Sequence, residues 1–181
     1  MKFVIIMVHV ISHVVGNNMT ALKVPDMELY PYNPTPLSLP HQGEIPGAVD
    51  VGTVIYVTGV PFKDVTNTGF FINLQCGPKS SDNTIGFHMN ARFEERIIIR
   101  NSRIGPDWGK EERNVPRFIF APSTEFQLRI RVLQDRYCID VGEELFAEYT
   151  HRFKELSDIK TIYIAGEVDI HRLVISKNLM N

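Results

Sequence analysis

Cysteine is scarce: Cys76 and Cys138 are the only two in 181 residues. That is too few for a disulfide scaffold, and two reduced thiols in a domain that does not depend on oxidation are expected, although one bridge is compatible with the count. Excess charge is missing too. Nineteen Lys and Arg against 21 Asp and Glu leave a net charge of −2 and a pI near 6.3, so the chain has no electrostatic reason to seek nucleic acid or an anionic membrane. No apolar run reaches the roughly 20 residues that a spanning helix needs, so membrane insertion is not expected. Helical periodicity is absent as well. Nowhere in the body of the chain do apolar residues hold a 3.6 spacing over a dozen positions, and Phe153 to Ile159 has room for a single helical turn. With 44% hydrophobic residues and a mean hydropathy of −0.08, one globular domain with a sizeable core remains.

What is present is strand after strand from about residue 47. Phe126, Leu128, Ile130 and Val132 alternate with Gln127, Arg129 and Arg131, and Tyr137, Ile139 and Val141 alternate with Cys138 and Asp140. Thr53 to Thr58, Phe70 to Leu74, Arg96 to Arg100 and Thr161 to Ala165 are further β-rich runs. Period-two alternation means one buried and one wet face, the pattern of antiparallel sheets. Turn formers at Gly47, Gly52, Gly59, Gly69, Gly77, Gly86 and Gly105 punctuate the runs at intervals that suit a sandwich of short strands. The expected body is all-β, with Arg129, Arg131 and Arg136 on a solvated strand face.

Two stretches precede that body. Phe3 to Val15 is apolar except for His9, Ser12 and His13, and Lys2 stands in front of it. This is the outline of a signal peptide, but the histidines interrupt it and no A-x-A-like site follows; translation from Met19 is the alternative. His9 and His13 have the spacing of a helical metal pair without a third ligand, so no metal or other cofactor is expected. Six of the eleven prolines fall between Pro25 and Pro46. Proline fixes φ and removes a donor, so this stretch reads as an extended lead-in. The organisation expected is a segment 1–18 of doubtful role, a lead-in over 19–36, a recognition domain over 37–176 and a tail over 177–181.

The chemistry concentrates between Gly86 and Arg117. A strand through Phe87-His88-Met89-Asn90-Ala91-Arg92-Phe93 turns Phe87, Met89, Ala91 and Phe93 to one face and His88, Asn90 and Arg92 to the other. The polar row holds hydrogen-bonding groups of three types and no negative charge. Asn101 ends the next strand and adds an amide. Trp108, the one tryptophan, opens Trp108-Gly109-Lys110-Glu111-Glu112-Arg113, where Glu111 and Arg113 are two apart and share a strand face. Such groups suit a pyranose: its hydroxyls need fixed donors and acceptors, and its C–H patch lies flat on an aromatic ring. A site that pairs with an axial 4-hydroxyl rejects an epimer lacking it, because buried partners are left unmatched.

With these residues in order the sequence resembles the galectins, the β-galactoside-binding lectins. The match is His-x-Asn-x-Arg at His88, Asn90 and Arg92, the strand-end Asn101, and Trp-Gly-x-Glu-x-Arg at Trp108, Gly109, Glu111 and Arg113. It extends through Pro31-Tyr32-x-Pro34 and Pro46-Gly47 before the window, and through Phe118-Ile119-Phe120, His151-Arg152 and Gly166-Glu167-Val168-x-Ile170 after it, covering about residues 31 to 176. Ala91 stands where the family often has proline, the stretch between Arg92 and Asn101 is short, and Asp140-Val141-Gly142 stands where Val-Asn-Gly is common. The resemblance implies a jelly-roll β-sandwich of two antiparallel sheets and metal-independent binding of β-galactosides on glycoproteins or glycolipids, with no catalysis. It implies that His88, Asn90 and Arg92 take the galactose 4-hydroxyl, that Asn101 and Glu111 take the 6-hydroxyl, and that Trp108 lies under the ring. Arg92, Glu111 and Arg113 then reach the 3-hydroxyl of an adjoining sugar. It also implies a cytoplasmic protein that reaches the extracellular space by unconventional export, classical secretion being the alternative, and valency through a homodimer or partners.

Two other classes compete. A glycoside hydrolase needs two carboxylates flanking the scissile bond, one with a raised pKa. Here only Glu111 shares the face of the polar row, and Arg113 beside it favours the charged form. A sandwich that binds a protein and no sugar is the second rival, and in such relatives lost ligands are the usual sign.

Overall fold

The computed structural model describes residues 35–66, 68–80 and 82–177. The expectations for residues 1–18, for 19–34 of the lead-in and for 178–181 of the tail lie outside the described residues. The described strands are β1 (His41–Glu44), β2 (Thr53–Pro61), β3 (Phe70–Gln75), β4 (Ile85–Arg92), β5 (Ile97–Ile104) and β6 (Asp107–Trp108), followed by β7 (Phe126–Val132), β8 (Arg136–Val141), β9 (Glu144–Thr150), β10 (Thr161–Gly166) and β11 (Val168–Lys177). A 3-10 turn, Leu156–Asp158, falls where one helical turn is expected. Two antiparallel sheets result, in the orders β1-β10-β3-β4-β5-β6 and β11-β2-β7-β8-β9.

The alternation decides which side chains meet between the sheets. Ile72, Leu74, Phe87 and Met89 from the six-stranded sheet join Ile55, Val57, Leu128 and Ile130 from the five-stranded sheet in one core. Aromatic pairs bridge the layers: Phe70 stacks on Phe126 with centroids 5.2 Å apart, and Phe87 meets Tyr137 at 4.8 Å. Each such pair adds about 0.5–1.5 kcal/mol beyond its buried area. Glycine-first turns close two of the hairpins. Gly142 at φ +61 opens the two-residue loop between β8 and β9, and Gly105 at φ +60 does the same between β5 and β6.

The structure departs from the sequence reading at particular places. Gly59 and Gly86 lie inside β2 and β4 rather than in turns. The outer face of β7 and β8 is not simply solvated. Asp140 is 1% exposed, covered by Arg129 and Arg131, whose Nε atoms donate at 2.8 and 2.7 Å. Burial pushes the Asp140 carboxyl up, but hydrogen bonds from Arg131 and Arg129 outweigh it and hold the group below its ordinary value. Arg136 is half-buried and donates to Asp135 and Glu148.

Gly69 is the position where the backbone tolerates least. Its φ is +52, and a Cβ there would stand 1.9 Å from the carbonyl oxygen of Ala91, the residue between Asn90 and Arg92. Gly105 has φ +60 but nothing within 4 Å of its would-be Cβ. Gly69→Ala is therefore expected to cost the backbone strain of about 1–3 kcal/mol plus the clash with the neighbouring strand, whereas Gly105→Ala costs the strain alone. Urea unfolding of the two variants checks this, and equal midpoints would contradict it.

Candidate functional site

The site is built on the outer face of the six-stranded sheet by the same strand that supplies part of the core. In β4, Phe87, Met89 and Ala91 are buried while His88, Asn90 and Arg92 alternate with them as half-buried residues. Antiparallel pairing sets His88 against Asn101 of β5 and against Asn73 of β3, and Asn90 against Phe71. The short hairpin after Ile104 brings Trp108 back opposite Arg103. The indole is 48% exposed, so it faces outward rather than into the core. Its ring lies 4.8 Å from the His88 imidazole with the planes at 63°, and the Arg103 guanidinium lies 5.7 Å from the indole centroid.

Beyond Trp108 the chain runs along β5 without forming a strand. Gly109 N donates to Ser102 O at 2.9 Å, and Arg100 and Glu112 exchange backbone hydrogen bonds as an isolated bridge. The strand expected for Glu111 and Arg113 is thus an extended segment, and the two side chains still meet. Arg113 donates to Glu111 Oε2 from Nε at 2.8 Å and from Nη2 at 2.6 Å, while Arg92 Nη2 donates to Glu111 Oε1 at 2.7 Å. Glu95, from the loop between β4 and β5, completes a closed ring: it accepts from Arg92 at 3.2 Å and from Arg113 at 3.0 Å. Partial burial pushes the Glu111 carboxyl up, but the hydrogen bonds from Arg113 and Arg92, and their charges, hold it below its ordinary value.

His88 is electrostatically the opposite case. Burial, followed by the Arg92 charge, lowers its pKa from 6.5 to about 4, so the imidazole is neutral at ordinary pH. Its Nδ1 lies 2.7 Å from Asn73 Oδ1. Asn90 Oδ1 is buried and has no hydrogen-bond partner.

Asn101 sits lower than the others. It is 3% exposed; its Nδ2 donates to Gly109 O at 2.9 Å, and its Oδ1 accepts from Ser102 N at 2.9 Å and from Arg152 Nη1 at 3.1 Å. Arg152 also donates to Lys110 O at 2.7 Å and to Glu112 Oε1 at 2.9 Å. It therefore fastens the 109–112 segment to β5.

Six of the seven expected residues, His88, Asn90, Arg92, Trp108, Glu111 and Arg113, share one outer surface, and Asn101 underlies it. Sequence reasoning did not assign Asn73, Glu95 or Arg152. The alternation of β3 puts Asn73 on the outward face, and Glu95 follows Arg92 by three residues in a tight loop; those two signals were readable. Arg152 carries no local signal, since its partner Asn101 is 51 residues away. A groove lined by Thr68, Phe71, Asn90, Arg92 and Glu95 continues the surface on its β3 side. Among the described residues no group of three or more His, Cys, Asp or Glu could hold a metal ion, and no helix is long and apolar enough to cross a membrane.

The geometry can be set beside known proteins. The galactoside-binding lectin family model matches residues 40–175. Galectin-3 of Canis lupus familiaris is 29% identical over 138 residues, covering 75% of this chain and 44% of the relative. Galectin-8 of Rattus norvegicus is 32% identical over 132 residues, covering 73% of this chain and 40% of the relative. The chain thus spans less than half the length of these two relatives. Among solved structures, a variant of human galectin-16 superposes with a TM-score of 0.71 at 23% identity, over 80% of this chain and 99% of that one. The Caenorhabditis elegans galectin LEC-6 gives 0.67 at 25% identity, over 78% and 94%. The two-sheet sandwich is thus the galectin sandwich, its relatives are lectins rather than enzymes, and the chain belongs to the galectins, the family of galactoside-binding lectins.

Proposed function

We propose that the chain binds β-galactosides of the lactose or N-acetyllactosamine type, reversibly, without metal and without cleaving them. The observation that carries this reading is an exposed indole set beside a neutral imidazole and a closed Arg–Glu ring on one sheet face. The C–H patch of galactose lies on Trp108. The axial 4-hydroxyl turns to His88, Asn90 and Arg92. The 6-hydroxyl reaches Glu111 and the one Asn101 N–H not given to Gly109. The adjoining sugar places its 3-hydroxyl at Arg92, Glu111 and Arg113. Ligand groups meet side chains already held in place by their neighbours, so little ordering is needed on binding.

Glu111 favours recognition over hydrolysis. A general acid needs a carboxyl held protonated by a raised pKa, and here two guanidiniums act in the opposite direction. A shallow polar site recovers little beyond the cost of association, so single-site affinity for lactose should be about 0.1–1 mM. Strength on a cell surface then comes from valency through self-association or partners.

Retention on lactosyl resin with elution by free lactose but not sucrose is the direct test. Trp108→Ala and Arg92→Ala are each expected to abolish retention while the far-UV spectrum stays β-like. Retention unchanged in both variants refutes the site, and absence of retention in the parent chain favours a protein-binding sandwich. Steady turnover of a chromogenic β-galactoside, lost in Glu111→Gln, would establish a hydrolase instead.

The pH profile gives a second test. Lowered from 6.5 to about 4, the His88 pKa makes the folded state bind fewer protons than the unfolded chain between those values. Its contribution to stability is present above 6.5 and is lost as pH falls through that window. Lactose affinity should stay flat from neutrality through 6.5 and fall only as pH nears 4, where the imidazole takes up its proton. Titration calorimetry across that range checks this, and a binding midpoint near 6.5 would be inconsistent with a buried neutral imidazole.

A further inference from the structure

We infer that a relay of buried amides, Asn73 and Gln75, anchored on the backbone carbonyl of Gly77, holds His88 as its Nδ1–H tautomer and leaves Nε2 bare toward the site. The relay belongs to the free protein, and only its consequence for sugar rests on the lectin reading above.

The chain of hydrogen bonds starts from an atom whose role is not adjustable. A carbonyl oxygen can only accept, so Gln75 presents Nε2 to Gly77 O, at 3.1 Å. Gln75 Oε1 then faces back along β3, where Asn73 Nδ2 donates to it across 3.5 Å, the longest link. With its NH2 committed there, Asn73 turns Oδ1 to His88 Nδ1 at 2.7 Å. An acceptor at that distance requires Nδ1 to carry the hydrogen, which leaves a lone pair on Nε2 in the neutral ring. Asn73 is 6% exposed and Gln75 2%, so solvent does not compete for these groups. Both lie on the outward face of β3, and Asn73 stands directly opposite His88 in the β3–β4 register.

The consequence is directional. A bare Nε2 accepts a hydrogen bond from a ligand hydroxyl, whose oxygen is then free to accept one from Arg92. A reversed Asn73 amide would favour hydrogen on Nε2 and turn the imidazole from acceptor into donor. Asn73 and Gln75 are therefore positioning residues: they act through His88, by fixing the identity of the group it offers.

The test reads the tautomer directly in the full chain without sugar. Long-range 1H–15N spectra at neutral pH, with His88 identified among the six histidines by His88→Gln, should show a protonated Nδ1 and a bare Nε2. Gln75→Met removes both links of Gln75 and should shift His88 toward the Nε2–H form, with lactose affinity about tenfold weaker, the share of one hydrogen bond. Gln75→Glu still offers Asn73 an acceptor and should keep the Nδ1–H form. A parent chain with hydrogen on Nε2 overturns the inference, as does Gln75→Met with an unchanged tautomer. Should Gln75→Met not fold, the parent spectrum decides, and a Gln75→Glu chain that has lost the Nδ1–H form overturns the inference. A correct tautomer in a chain that ignores lactose defeats the lectin reading and leaves the relay standing.

Discussion

Register along β4 is the constraint on which the rest depends. One strand supplies Phe87, Met89 and Ala91 to the core and His88, Asn90 and Arg92 to the outer face. A slip of one residue would exchange the two sets, driving a guanidinium and an imidazole inward and three apolar groups out. Core packing therefore enforces the order of the polar row. Pairing with β3 and β5 fixes the strand on both sides, and Gly69 lets the loop before β3 come within touching distance of the Ala91 carbonyl. Fold stability and site geometry are set by the same contacts.

Charge is arranged on that frame so that no member stands alone. Isolated surface ion pairs are worth little, because solvent screens them and long side chains lose freedom. The ring of Arg92, Glu95, Arg113 and Glu111 differs in that each residue pairs with two others. Its main effect is geometric: Arg92 is tied at both Nη atoms, to Glu95 and Glu111. Arg152 joins Asn101, Lys110 and Glu112, so the segment carrying Glu111 is braced against β5. Asn101 accordingly has a structural task as well as the ligand role that the family resemblance implies.

How much of this was legible in the sequence follows from how local each signal is. β4 could be read because its two faces differ in kind as well as polarity, and the outward row names its own chemistry. β9 and β11 could not. β9 is a sheet edge with an exposed run at Glu144 and Leu145, so its alternation is weak. In β11 a bulge between Ile170 and Arg172 breaks the period of two. Gly59 and Gly86 imitate turn punctuation; a Cβ at Gly59 would meet Ile170 and Phe126, and one at Gly86 would meet Ile159. The burial of Asp140 under Arg129 and Arg131 depends on cross-strand pairing of β7 with β8, and the bracing by Arg152 depends on a contact over 51 residues. Period and spacing report what a strand does by itself, whereas these features exist only once strands are paired.

On the proposed function, protonation state separates binding from catalysis. An enzyme must hold a group whose protonation changes as bonds change, and it gains rate only from contacts that strengthen in the transition state. Glu111 is ionised under two guanidiniums, and His88 is neutral within a buried amide environment. At neutral pH each is kept in one protonation state, His88 by burial and Glu111 by its two arginines. Groups so held neither give nor take a proton during ligand contact, so their hydrogen bonds serve the ground state of whatever they touch. On the lectin function proposed above, such a site is specific through donor and acceptor placement, and the energy invested in fixing those groups goes into selectivity among epimers.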